Sequence, residues 1–182
     1  MNLANKITLF RIISIPFFVF FLFNFKMGGV IASFLIFIIA SISDWLDGYI
    51  ARKKNEITVF GKIMDPVADK ILVYSAFICF IQLNIIPFWM VIIIMARDLF
   101  VMALRVQLAA GGNILAAIFT AKIKTTLEYA SIIFAFFYLM TSKLTYQSLL
   151  EVFIYILMGS ATFFALVSGG QYLLSSKKYI TR

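Results

Sequence analysis

Histidine is absent from the 182-residue chain, and cysteine occurs once. The first absence removes the commonest general base and every His-ligated zinc or haem site. The second, with Cys79 set inside an apolar run, excludes a disulfide within the chain and a thiolate metal cluster. Proton transfer must fall to carboxylates, lysine, tyrosine or water. Charge is scarce as well, at 13% of residues against 63% hydrophobic ones, and mean hydropathy is +1.02. Too little polar sequence remains to cover a soluble surface. What the chain has instead is a series of apolar runs near the roughly 20 residues that cross a bilayer, which implies an all-α, multi-pass integral membrane protein.

Six helices are predicted, over about 5–25, 29–53, 61–82, 87–110, 114–140 and 147–174. The breakers "KMGG", "KKNEIT", "QLNIIP", "AAGGN" and "TSKLTYQ" separate them. "MNLAN" reads as a short amphipathic lead-in at the interface. The run Ile12 to Phe25 lacks a small-residue cleavage pattern and is followed by another long apolar stretch, so it reads as a retained span and not a signal peptide. The length leaves room for one membrane domain, 1–182. Alternating the spans gathers Lys6, Arg11, the 52–70 connection, the 110–124 connection and the tail on one face, against Lys26 and Lys143 on the other. The positive-inside rule makes the basic face cytoplasmic. The net charge of +8 therefore reflects topology and anionic lipid or phosphate, with no nucleic-acid partner implied.

Five of the eight acids, four of them aspartates, fall within one short stretch, "SDWLDGYIARKKNEITVFGKIMDPVADK". Asp44 and Asp47 stand at i, i+3 near the end of the second predicted helix, and Asp65 and Asp69 at i, i+4 at the start of the third. Each pair shares one helical face, at the same depth as the other. Four like charges in a partly dehydrated cleft repel, and at least one must protonate unless cations neutralise them. An all-oxygen donor set selects Mg²⁺ or Mn²⁺ over zinc. Two such ions, roughly 3.5–4 Å apart, can clamp a diphosphate for in-line displacement. A lone membrane glycine usually marks helix packing, but beside these acids Gly48, Ala51 and Gly61 keep the wall shallow for a nucleotide or phosphate. Arg52, one turn after Gly48, suits a phosphate oxygen. Thr58 reads either as a helix cap or as a ligand contact.

From Asp44 to Asp69 the pattern is D-x-x-D-G-x-x-A-R, eight residues, then G-x-x-x-D-x-x-x-D. This resembles the signature of the CDP-alcohol phosphotransferase family, in identities and in gaps. "NKITLFRIISIPFF", "MARD" at 95–98, "ALR" at 103–105, "KIKT" at 122–125 and "QYL" near the end extend the resemblance over most of the chain, with Asp98 standing where glutamate is more usual. The resemblance implies six transmembrane helices, a site facing the cytoplasm of a bacterial-type plasma membrane, and a homodimer. It implies that Asp44, Asp47, Asp65 and Asp69 bind two divalent cations, with Asp69 also the general base. It further implies that Gly48, Arg52 and Thr58 contact the CDP part of CDP-diacylglycerol, with Thr8 bordering it, and that the acceptor is glycerol 3-phosphate.

An anionic acceptor needs cations, and Arg97, Arg105, Lys122 and Lys124 stand in the fourth and fifth predicted helices. Buried in a membrane, each costs roughly 2.5–3.5 kcal/mol unless it lines a cavity or has a partner. Internal pairing is the alternative: Asp98 with Arg105 or another helix, and Glu128 with Lys124 at i, i+4. Inositol phosphate or serine as acceptor stays open, as does more remotely a Mg²⁺-dependent prenyltransferase, whose motifs would lie farther apart. A cation transporter would hold its acids nearer the bilayer midplane.

Overall fold

The computed structural model describes the backbone of residues 3–54, 59–112, 116, 118–141 and 147–180, and the side chains of 8–43, 67–112, 116, 118–141 and 147–177. The described secondary structure is six helices: α1 Leu3–Asn24, α2 Lys26–Lys54, α3 Val59–Gln82, α4 Phe88–Ala110, α5 Phe119–Met140 and α6 Gln147–Ile180. Lys26–Ser43, Phe119–Met140 and Gln147–Lys177 are long and apolar enough to cross a membrane, and Thr8–Asn24 is a shorter apolar helix. α4 carries Arg97, Asp98 and Arg105 within its length, which lowers its apolar character. The chain divides into two compact units, one of 1–79 with 136–144 and one of 80–135 with 145–182.

In the first unit α1 packs on α2. The expected break at the glycine pair falls earlier: α1 ends at Asn24, whose side-chain amide donates to the Phe20 carbonyl (2.8 Å). Lys26 takes a φ of 40° and α2 starts at once. Gly29 has a different task. A Cβ there would overlap the Phe21 carbonyl oxygen and lie 3.0 Å from Phe25 Cβ. The glycine thus lets the start of α2 close on α1, and its backbone N–H donates to the Phe25 carbonyl (2.8 Å). Gly29→Ala is expected to lower stability by about 1–3 kcal/mol, the usual cost of forcing a methyl into filled space, read as a fall in the melting temperature of the detergent-solubilised protein.

Farther along, Ser33 donates its hydroxyl to the Phe18 carbonyl (2.9 Å) inside the α1–α2 seam. Phe18, Phe37 and Phe136 form the aromatic centre, with ring centroids 6.1–6.4 Å apart. The outer stripe of α1, Phe10, Ile13, Phe17 and Phe20, is exposed at i, i+3, i+7, i+10. A helix apolar on both faces belongs in hydrocarbon. The separate amphipathic lead-in expected for "MNLAN" is not seen as a distinct element from Leu3 onward, because α1 runs unbroken from there.

In the second unit α4 packs on α6. α3 closes with a Schellman-type turn: Asn84, at φ 58°, donates its backbone N–H to Ile81 (2.9 Å), and Ile85 donates to Phe80 (2.9 Å). Ile85 and Ile86 bury behind it, and Pro87 sets the extended residue from which α4 begins. α6 buries Ile154, Met158, Ala161, Ala165, Ser168, Tyr172 and Ser176, a stripe of helical period with small residues at its middle. α6 reaches Ile180, beyond the expected 174, while α5 begins at Phe119 and not at 114. The late start has a local cause. The Tyr172 hydroxyl accepts the Ile118 backbone N–H (3.1 Å) and faces the Ala116 carbonyl (3.5 Å), so groups that a longer helix would pair internally are held from outside it.

Candidate active site

The four signature aspartates sit on two consecutive helices of the first unit, Asp44 and Asp47 on α2, Asp65 and Asp69 on α3. The helical backbone gives them the expected i, i+3 and i, i+4 registers. Gly48, Ala51 and Arg52 follow on α2 and Gly61 precedes Asp65 on α3. The side chains of all of these except Asp69 lie outside the described residues, and Thr58 lies outside them entirely. Asp69 is half-buried, and Thr8 is buried on α1. Among the described residues, which leave out the side chains of Asp44, Asp47 and Asp65, no three His, Cys, Asp or Glu side chains gather as a metal site. As a donor set, four carboxylates without imidazole or thiolate fit a hard divalent cation.

The second unit assembles the cations of α4 and α5 around one buried carboxylate. Lys124 Nζ donates to both oxygens of Asp98 at 2.6 Å and lies 2.8 Å from Glu128 Oε1. Arg97 Nη1 donates to Asp98 Oδ1 (2.9 Å), while its Nη2 donates to the Ser168 hydroxyl (2.8 Å). Lys124, Asp98 and Glu128 are all buried, with side chains at most 3% exposed, and Arg97 is at 10%. Charges so far from water are tolerated because each is answered by an opposite charge, with oriented hydrogen bonds besides at Arg97, Asp98 and Lys124. Gly169 on α6 makes room for this: a Cβ there would stand 3.2 Å from Arg97 Cγ, tighter than most such contacts.

Tyr172, fully buried, joins the arginines. The Arg97 guanidinium carbon lies 5.3 Å from its ring centroid and that of Arg105 5.1 Å. Arg105 Nη2 also donates to the Tyr172 hydroxyl (2.5 Å). Next to it, Thr120 donates to Gln171 Oε1 (2.6 Å). Among the described residues the cluster thus holds three cations, Arg97, Arg105 and Lys124, and two carboxylates, Asp98 and Glu128, with Arg97 and Lys124 paired to the carboxylates and Arg105 to Tyr172.

Arg97, Arg105 and Lys124 therefore come together, whereas Lys122 is exposed, two residues from Lys124 and so on another face of α5. The pairing left open for Lys124 is realised twice, with Asp98 and Glu128. Asp98 serves Arg97 and Lys124, and Arg105 turns to Tyr172 instead. Sequence reasoning gave Tyr172, Gln171, Thr120 and Ser168 no role. The signal was present in "QYL", one turn past a serine on the α6 stripe, but spacing alone cannot say that a tyrosine meets an arginine 67 residues away.

The scattered segments "MARD", "ALR", "KIKT" and "QYL" thus converge on one cluster, and the acid motif occupies a helix pair. The sequence profile of the CDP-alcohol phosphatidyltransferase family matches residues 1–167. The chain belongs to this family. This CDP-alcohol phosphatidyltransferase is 46% identical over 136 residues to the CDP-diacylglycerol–glycerol-3-phosphate 3-phosphatidyltransferase of Bacillus subtilis, covering 68% of this chain and 70% of that protein. It is 36% identical over 137 residues to the protein of that name from Wigglesworthia glossinidia brevipalpis, with 72% and 75% covered. With that of Escherichia coli K12 it shares 35% over 136 residues, with 72% and 74% covered. The CDP-alcohol phosphatidyltransferase is a multi-pass membrane enzyme.

Proposed function

We propose that this enzyme transfers the phosphatidyl group of CDP-diacylglycerol to glycerol 3-phosphate, releasing CMP and forming phosphatidylglycerophosphate in phospholipid biosynthesis. The observation that carries the reading is the likeness, over two thirds of the chain, to relatives that bear that name. The cluster around Arg97 and Arg105 supports the acceptor half, since a planar guanidinium pairs two donors with a phosphate monoester. A zwitterionic serine would not need it.

In this reading Asp69 takes the proton from the acceptor's primary hydroxyl as that oxygen attacks the β-phosphorus. The new oxygen–phosphorus bond forms while the bond to the bridging oxygen breaks, and CMP departs with the electron pair. Asp44, Asp47, Asp65 and Asp69 would hold two Mg²⁺ or Mn²⁺ ions, whose chemistry is to neutralise the diphosphate and stabilise the leaving CMP. Arg52 holds phosphate oxygens, Gly48, Ala51 and Gly61 leave room beside them, and Thr8 and Thr58 border the CDP part. Among the acceptor cations, Lys124 is committed to two carboxylates and anchors Arg97 through Asp98. Direct phosphate contact falls to Arg97 and Arg105, with Lys122 at the approach.

We read all six helices as spans of a bacterial plasma membrane, with the site facing the cytoplasm and a homodimer as the working form. Within α4 the pairing of Arg97 with Asp98 and of Arg105 with Tyr172 supports this, because paired charges are those a spanning helix tolerates.

Purified protein supplied with CDP-diacylglycerol and, in turn, glycerol 3-phosphate, inositol phosphate or serine is expected to give a lipid product by mass only with the first. A product with one of the others and none with glycerol 3-phosphate would overturn the acceptor. Chelation of divalent ions is expected to stop CMP release, and added Mg²⁺ or Mn²⁺ to restore it. Release undiminished by chelation would remove the metals from the reading.

A further inference from the structure

We propose that Tyr172 is a positioning residue for the acceptor phosphate, acting through Arg105. The inference rests on the reading of Arg105 as an acceptor contact. Arg105 is exposed on α4, and a long side chain in such a place samples many rotamers. Among the described residues its partners are the Tyr172 hydroxyl, at 2.5 Å, and the Tyr172 ring, at 5.1 Å from centroid to guanidinium carbon. One aromatic side chain, itself fully buried, therefore fixes both where the guanidinium lies and which way it faces. Of its five N–H donors one is used on the hydroxyl, and the rest stay available for an anion.

The hydroxyl has nothing left over. It accepts from Arg105 and from the Ile118 backbone N–H (3.1 Å), and its own proton points to the Ala116 carbonyl (3.5 Å). A phenol has two acceptor sites and one donor, so all are occupied and Tyr172 has no free polar atom for substrate. Its influence must pass through what it holds. What it holds is the α4 guanidinium together with the backbone that leads into α5, the helix of Lys122 and Lys124. The same ring lies against Arg97, at 5.3 Å, and an aromatic face between cations offsets their repulsion. Tyr172 stands past residue 167, where the match to the family profile ends.

The test uses the full chain in detergent–lipid micelles, with Michaelis constants measured separately for glycerol 3-phosphate and CDP-diacylglycerol. Tyr172→Phe keeps the ring and removes the hydroxyl. It is expected to raise the acceptor KM about tenfold, the usual effect of losing one hydrogen bond to a charged group, with donor KM unchanged and the melting temperature lowered by only a few degrees through the Ile118 N–H left without its acceptor. Arg105→Ala is expected to raise the acceptor KM further, and Tyr172→Phe added to it to have no additional effect, because the residue it acts through is gone. Full multiplication of the two effects would overturn the inference, as would a common drift of both Michaelis constants with a larger fall in melting temperature. If Arg105→Ala raises the acceptor KM and Tyr172→Phe does not, the positioning role fails while the acceptor reading stands. If Arg105→Ala leaves it unchanged, both fall.

Discussion

Asp69→Asn is expected to leave the protein folded and to reduce CMP release by at least about a thousandfold, combining loss of the general base with loss of a charged ligand from the acid quartet. The exchange is nearly isosteric, and Asp69 is half-buried on α3, so the substitution opens no cavity. The charge is what changes. An amide neither accepts the hydroxyl proton nor supplies the negative charge that a divalent cation needs. Glu151→Gln, an exposed carboxylate on α6, is the matched control and is expected to keep full activity. Helical content and melting temperature measured beside turnover separate a chemical loss from a folding one. An Asp69→Asn enzyme with ordinary turnover would exclude this residue as the base.

The acid motif was legible because helical spacing is itself geometric: i, i+3 and i, i+4 put each carboxylate pair on one face of whatever helix carries it. The six elements were legible for a similar reason, since apolar runs and Gly, Pro and Asn breakers mark helices and their ends. Boundaries were legible only where local chemistry decides them. At the α3–α4 turn, Asn84 in its left-handed conformation and Pro87 fall where the sequence placed the break. At the start of α5 the prediction ran five residues early, because a tyrosine on α6 competes for the backbone there, and a contact between residues 118 and 172 leaves no trace in local spacing. "KMGG" misled in the opposite sense. The glycines serve close approach of α2 to α1, and the chain turns on Phe25 and Lys26 just before them.

The partners of the cations were hidden for the same long-range reason. Asp98 is adjacent in sequence to Arg97 and far from Lys124, yet it binds both. That arrangement sets the second large effect. Lys124→Met is expected to destabilise the protein by about 3–5 kcal/mol, seen as a fall of about 10 °C in melting temperature, because it withdraws the ammonium from between two carboxylates that are at most 3% exposed. Methionine matches the stem in size, so little of the loss comes from packing. Lys124→Met combined with Glu128→Gln is expected to recover about half of the fall, since the burden is the buried negative charge and the second change removes one unit of it. The two readings of Lys124 separate here. A direct phosphate ligand would show a raised acceptor KM at an unchanged melting temperature, with no rescue from Glu128→Gln. A charge that holds Asp98, and through it Arg97, shows lost stability with that rescue, and any change in acceptor KM follows from Arg97 losing its anchor.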